Sequence, residues 1–237
     1  MYKKMGIDIN GLDVLLLAMP LCTKKETVLT LGNQGIHISP QQCMEICNAY
    51  RIRASPSWFE KGTAHMMQQF GFQSLESLDA SAYEGATLLH DMNFPLPSHL
   101  AGRKFDFVFD GGTTEHIFNV PQVFQNIFDL VAVGGVFVSV TVNNNLSGHG
   151  LYQFSPEFFQ KICSPRYGME LQCLWLGKVG TTRGAWKEIK PKDYEFKFGG
   201  DERVYVITVA KKVSEGQVRL LDVPPQQGIY QDGYWKN

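Results

Sequence analysis

Phe105-Asp106-Phe107-Val108-Phe109-Asp110-Gly111-Gly112 decides how this chain is read. Its aromatic and β-branched side chains predict a strand buried on both faces, the pattern of a parallel sheet. Asp110-Gly111-Gly112 closes that strand with turn-forming residues. Downstream, Val123, Phe124, Ile127, Phe128 and Val131 form one apolar stripe at helical spacing, so a helix is expected from Val120 to Val131, stopped by Gly134-Gly135. The run Val136 to Val142 is near-continuously apolar and reads as the next strand.

Working outward, Thr27 to Leu31 reads as a first strand ended by Gly32. Ser39-Pro40-Gln41-Gln42 is a helix start, with Ser39 as cap, Pro40 at the first helical position and Gln42 completing a capping box. Ser55-Pro56 opens a second helix that runs to Phe70 and stops at Gly71. Ser74 to Leu78 and Ala86 to Leu89 read as strands ending at Asp79 and near His90-Asp91. Ser155-Pro156-Glu157 opens a helix through Ile162, and Leu171 to Leu176 and Val204 to Ala210 are two late strands. Gly177 to Gly200 is charged and glycine-rich and reads as a long loop or lid, and the tail after Lys211 as weakly ordered or draped on the surface.

Strands alternating with helices predict an α/β fold with a single doubly wound, mostly parallel sheet, an antiparallel late strand and an N-terminal helical extension. One domain is expected over 1–237: extension 1–26, core 27–211 and tail 212–237. A chain of 237 residues with 44% hydrophobic and 12% aromatic content is long and apolar enough for a sizeable core. Its net charge of -1 lacks the basic excess of a dedicated nucleic-acid binder, so a nucleic-acid partner is not expected. No run reaches the roughly 20 apolar residues of a membrane helix, and no cleavage site follows Lys3 and Lys4, so a cytoplasmic protein with no membrane partner is expected. Five cysteines without a CxxC pair predict free thiols. Cys43 and Cys47 share a helix face as buried core residues, and no metal site is expected.

In a doubly wound sheet ligands bind outside the carboxyl ends of the strands. Here those ends carry Gly32-Asn33-Gln34-Gly35, Asp79, Asp91-Met92, and Asp110-Gly111 with Thr113-Thr114-Glu115-His116 just beyond. A nucleoside ligand would use them in a definite way. Small residues after the first strand let backbone approach it, a carboxylate after the second accepts ribose hydroxyls, and one after the third accepts from an adenine amino group. Met92 would cover the ring.

On these residues, the chain resembles class I S-adenosylmethionine-dependent methyltransferases. The order of elements, the acid ending the second strand and the Asp91-Met92 pair carry the likeness. Phe105 to Asn119, the helix ending in Val133-Gly134-Gly135, and Gly148 to Phe159 are similar to bacterial methyltransferase-like proteins of sugar and surface-polysaccharide pathways. The resemblance implies S-adenosylmethionine as cofactor, held by Gly32, Asn33, Gln34, Gly35, Asp79, Asp91, Met92, Asp110 and Gly111. The first loop departs from the family's Gly-x-Gly-x-Gly pattern and lacks its preceding acid; Asn33 or Gln34 would substitute by hydrogen bonding.

Methyl transfer requires alignment of the acceptor and removal of its proton. His116 is the candidate general base, Glu115 orients it or binds substrate, and His149, Tyr152 and Gln153 line an acceptor pocket. The expected function is methyl transfer to a hydroxyl or amine of a small polar acceptor, a sugar among the candidates, by a chain compatible with homo-oligomer formation. The competing reading is a non-catalytic methyltransferase-fold binding or scaffold protein with a degenerate cofactor loop; a nucleotide-dependent enzyme of another doubly wound family stands behind both.

Overall fold

The computed structural model describes residues 6–191, 193 and 197–228. In chain order its elements are β1 (Gly6–Ile7), α1 (Ile9–Ala18), β2 (Thr27–Leu31), β3 (Gly35–Ile36), α2 (Pro40–Ala49), α3 (Ser57–Gln69), β4 (Ser74–Asp79), β5 (Leu88–Leu89), α4 (Ser98–Ala101), β6 (Phe105–Asp110), α5 (Val120–Leu130), β7 (Val131–Asn144), α6 (Pro156–Ile162), β8 (Met169–Lys178), β9 (Lys187–Glu188) and β10 (Val204–Lys212). The main sheet has the order β5-β4-β2-β6-β7-β10-β8-β9. Pairing is parallel from β5 through to β7. β10 runs antiparallel to both β7 and β8, which makes β8 parallel to the central strands. The doubly wound α/β class and the antiparallel late strand are thus both present.

The alternation within the central strands explains the layering. Phe107 and Phe109 point to one face with Val136, Val138 and Val140, where α1, α2 and α3 pack. Val108 and Phe137 point to the other, where α5 and α6 pack, and Phe105 joins them there, two residues from Phe107, because the β6–β7 register shifts between the two. Phe124 of α5 meets Phe128, Phe137, Phe154, Phe158 and Phe159 edge-to-face, with ring centroids 5.1 to 6.5 Å apart. Asp106 aligns the starts of β2 and β6, accepting from the Glu26 and Thr27 backbone N–H groups at 2.9 and 3.1 Å.

Several boundaries differ from the sequence reading. The N-terminal helical extension packs into the core. α1 starts at Ile9, capped by Asp8, and its Leu12, Val14 and Leu15 are fully buried within the core. Residues 32–36 are not all loop, because β3 pairs in parallel with β1 as a separate two-stranded sheet. β7 starts at Val131 directly after α5 and crosses Gly134-Gly135, where the sequence places a stop. The β-branched Val131 and Val133 favour extended backbone, and the β6–β7 register shifts between Phe105 and Phe107 to absorb the irregularity. The strand expected from Ala86 shrinks to Leu88–Leu89. The tail docks as far as it is described: Leu220 is buried, and the Tyr167 hydroxyl donates to the Val223 carbonyl at 2.7 Å. Residues 229–237 of that tail lie outside the described residues. Among the described residues, no helix is long and apolar enough to cross a membrane. The five cysteines are free, and Cys43 and Cys47 are buried in the core.

Candidate functional site at the carboxyl rim of the sheet

The first loop and the fourth strand end meet directly. Gly32 sits at φ +71°, a left-handed conformation that glycine adopts without strain. A side chain there would lie 3.3 Å from Thr113 Oγ1 and 3.8 Å from Asp79 Oδ2, so bare backbone faces a hydroxyl and a carboxylate from two other strand ends. Asp79 Oδ1 accepts the Ser81 backbone N–H at 3.1 Å, while Oδ2 turns toward Gly32. Thr113 Oγ1 donates to the Leu31 carbonyl at 2.8 Å and ties the two loops together. Thr113 lies in the stretch expected just beyond the fourth strand end but was given no role there; the signal was its offset of three from Asp110.

Gln34 is the unusual member of the first loop. Its side chain is buried, and Nε2 donates to the Leu31 carbonyl at 2.6 Å. Its Oε1 is buried without a hydrogen-bond partner and lies 2.5 Å from where a Cβ on Gly111 would stand. Only a glycine at 111 leaves room for it. Asn33 is exposed and reaches across to the neighbouring loop, donating to the Glu84 carbonyl at 2.6 Å. Gly35 belongs to the small β1–β3 sheet, and a side chain there would meet the His37 ring at 3.0 Å. It lies in that pairing, not on the open rim.

The carboxylates proposed from sequence separate into two kinds. Asp110 is fully buried, and its oxygens accept from Thr113 N at 2.8 Å, Thr114 N at 3.3 Å, Thr114 Oγ1 at 2.7 Å and Ser139 Oγ at 2.9 Å. Those bonds occupy the carboxylate, so Asp110 builds the turn after β6 and is not offered to a cofactor. Burial raises its pKa above the ordinary carboxylate value, and the same donors oppose the rise. Asp91 is exposed and accepts the Asn93 backbone and side-chain N–H groups at 2.9 and 2.8 Å. Met92 is 4% exposed, belongs to the same core cluster as Leu29, Leu31 and Val123, and its Sδ accepts from Asn126 Nδ2 at 3.7 Å. Its side chain faces the core, not a ring at the rim.

On the β6–β7 side, the turn Thr114–His116 and the loop after β7 bring Glu115, His116 and His149 together. The Glu115 carbonyl accepts from Leu151 N at 2.7 Å and Tyr152 N at 3.1 Å, which clamps the later loop onto the turn. Gly150, at φ +73°, makes this approach possible, since a Cβ there would stand 2.9 Å from that carbonyl oxygen. The Glu115 side chain is 1% exposed, with Oε1 3.7 Å from His149 Nε2 and Oε2 unpaired. Burial pushes its carboxyl up to about 7, opposed by His149. The neighbouring Glu115 carboxylate raises His149, whereas burial and the His149 charge lower His116. The two imidazoles meet edge-on with centroids 4.8 Å apart. Tyr152 donates its hydroxyl to the Phe118 carbonyl at 2.8 Å and stacks on Phe154, while Gln153 is exposed.

A cleft of about 840 Å³ also opens at the carboxyl end of β7, lined by Asn143, Asn144, Glu157, Asp193, Lys197 and Gln227 among others. None of these residues was given a place in a site from sequence, because they come from segments far apart along the chain.

No family model and no curated protein matches this chain. Solved structures do match. A 1,6-didemethyltoxoflavin-N1-methyltransferase of Burkholderia thailandensis, with its acceptor and S-adenosylhomocysteine bound, is 14% identical over 87% of this chain and 78% of its own, with a TM-score of 0.44. A TehB-like SAM-dependent methyltransferase of Corynebacterium glutamicum is 16% identical over 86% and 89%, with a TM-score of 0.46. A SAM-dependent methyltransferase of Archaeoglobus fulgidus is 12% identical over 85% and 94%, with a TM-score of 0.42. Likeness at this level carries no argument about chemistry, which rests on the rim itself.

Proposed function

We propose that this chain transfers a methyl group from S-adenosylmethionine to a hydroxyl or amine of a small polar acceptor. One observation carries the proposal: a glycine backbone at φ +71° stands beside the free oxygen of Asp79, on the same rim as a buried glutamate with one oxygen unpaired. The donor chemistry fits the cofactor at both ends. Asp79 Oδ2 would accept the ribose hydroxyls beside Gly32, and the orphaned Gln34 Oε1, buried against Gly111, would have to turn outward to accept from the ammonium of the amino-acid end, where the resemblance places an acid. Asn33 lies on the same loop, tied to the Glu84 carbonyl, and Asp91, just past the next strand end, is the acid for the base. When bound, S-adenosylmethionine supplies a methyl group already activated on a sulfonium.

The chain's own residues then have to orient the acceptor and receive its proton. Glu115 and His116 form the wall beside which the acceptor sits, with His149 and Gln153 on the loop that closes over it. His116 is exposed on that wall and is the group assigned to the acceptor's proton. Tyr152 supports the loop through its bond to Phe118. A sugar is the acceptor class suggested by the resemblance of Gly148 to Phe159.

Calorimetric titration with S-adenosylhomocysteine, then a labelled-methyl screen of sugar hydroxyls and small amines, tests the proposal. Saturable binding and a turnover abolished by His116→Ala are expected. The absence of any heat with either form of the cofactor at about 1 mM would overturn it. One feature favours the scaffold reading instead: Gln34 fills the space over Gly111 that a glycine at 34 would leave open. Binding without turnover of any acceptor would select that reading.

A further inference from the structure

We propose that Glu115, His116 and His149 hold a divalent first-row transition ion. Their ligand atoms lie within 4.8 Å of one another. Two imidazoles and one carboxylate form a borderline-soft set suited to zinc, cobalt, iron or manganese, whereas magnesium and calcium favour oxygen ligands.

Burial supplies the second observation. Glu115 is 1% exposed, yet its Oε2 has no hydrogen-bond partner. Its other oxygen is 3.7 Å from His149 Nε2, too long for a hydrogen bond. A carboxylate withdrawn from water needs compensating charge and ligation, and a cation between Glu115 and the two histidines provides both.

The scaffold already orients the ligands. Asp110 anchors the turn that carries Glu115 and His116 through four hydrogen bonds, and the Leu151 and Tyr152 amides hold the His149 loop against the Glu115 carbonyl. Ligands on one tetrahedral zinc stand roughly 3.3 Å apart for bonds of about 2.0–2.1 Å. The Glu115–His149 pair at 3.7 Å is close to that spacing, and the His116 ring already meets His149 edge-on with centroids 4.8 Å apart.

Three protein ligands leave coordination positions open, which is the pattern of a catalytic and not a structural site. The open side lies toward His116 and the partly exposed His149. With His116 on the ion, the ion takes over the part otherwise given to His116: an acceptor hydroxyl bound there would lose its proton more readily, and the proton would pass to solvent. This role rests on the methyltransferase reading; the ion site itself does not.

The test uses the full chain, stripped with a chelator and desalted. It is titrated with cobalt(II), monitored by visible absorption, and with zinc(II), monitored by calorimetry; magnesium is the hard-ion comparison. One ion per chain is expected, and Glu115→Gln and His149→Ala should each weaken zinc at least about tenfold. Far-UV circular dichroism checks their folding. Should either variant fail to fold, His116→Ala, at an exposed position, carries the same expectation. No saturable zinc or cobalt uptake below about 100 μM would overturn the proposal, as would a site unchanged in the folded variants or one that prefers magnesium. A parallel titration with S-adenosylhomocysteine separates the two ideas. Ion uptake without nucleoside binding sinks the methyltransferase reading alone, and nucleoside binding without ion uptake sinks this site alone.

Discussion

Replacing Asp110 with alanine tests whether this carboxylate builds the rim or binds a ligand on it. Its oxygens accept four hydrogen bonds in a fully buried setting. The Thr114 and Ser139 hydroxyls can turn to other acceptors in the variant, but the Thr113 and Thr114 backbone N–H groups cannot. Each buried donor left unpaired costs about 1–3 kcal/mol, so the loss is about 2–6 kcal/mol, centred near 4. With a urea slope of about 3 kcal/mol/M, the unfolding midpoint should fall by about 1.3 M. Asp110→Asn should lose much less, under about 2 kcal/mol, because its amide oxygen still accepts the two backbone donors and its amide N–H groups can donate to the two hydroxyls. Urea unfolding monitored by circular dichroism measures both. An alanine variant whose midpoint lies within about 0.3 M of the parent would refute the reasoning. If that variant also lost S-adenosylhomocysteine affinity, Asp110 would have to face the rim after all.

Asp79→Asn should do the reverse. Stability should stay within about 0.5 kcal/mol, while the loss of one charge-assisted bond worth about 1.5–3 kcal/mol weakens S-adenosylhomocysteine about 10- to 150-fold in calorimetry. An unchanged affinity would remove Asp79 from the site. Phe124→Ala opens a void at the centre of an aromatic cluster and should cost about 3–5 kcal/mol, lowering the melting midpoint by about 10 °C, whereas a fall of under about 3 °C would show that cluster to be dispensable. Glu215 is held below the ordinary carboxylate value of 4.5 because the Lys212 ammonium donates to it at 2.9 Å. Its contribution to stability is therefore present above 4.5 and lost as pH falls through the lower folded value, and Glu215→Gln should flatten that part of the acid limb in stability-versus-pH measurements. An identical acid limb in the variant would count against the pairing.

Much of the rim's content was legible because strand ends are local events. Phe105 to Asp110 announces a buried strand through its own side chains, and a doubly wound sheet must place the residues just beyond such strands along one edge. The Glu115-His116 pair and His149 were singled out in this way, and the structure brings them together. The part each polar group plays there was not legible. Asp79, Asp91 and Asp110 look alike as letters after strands, yet Asp110 is consumed by Thr113, Thr114 and Ser139 while Asp79 keeps one oxygen toward Gly32.

By itself, then, the sequence determined the periodicities: which segments extend, which coil, and which side chains leave the strands at one end. Those arise from spacings of two and of three to four residues along the chain, which neighbouring side chains enforce. Tertiary structure alone decided that β1 pairs with β3, that Gln34 folds over Gly111, that Met92 turns inward, and that Glu115 is buried with an oxygen unpaired. The reason is physical. Burial and hydrogen-bond satisfaction are set by residues tens of positions away, such as Ser139 for Asp110 and the 149–152 loop for Glu115, and no local pattern encodes the geometry in which such distant groups meet.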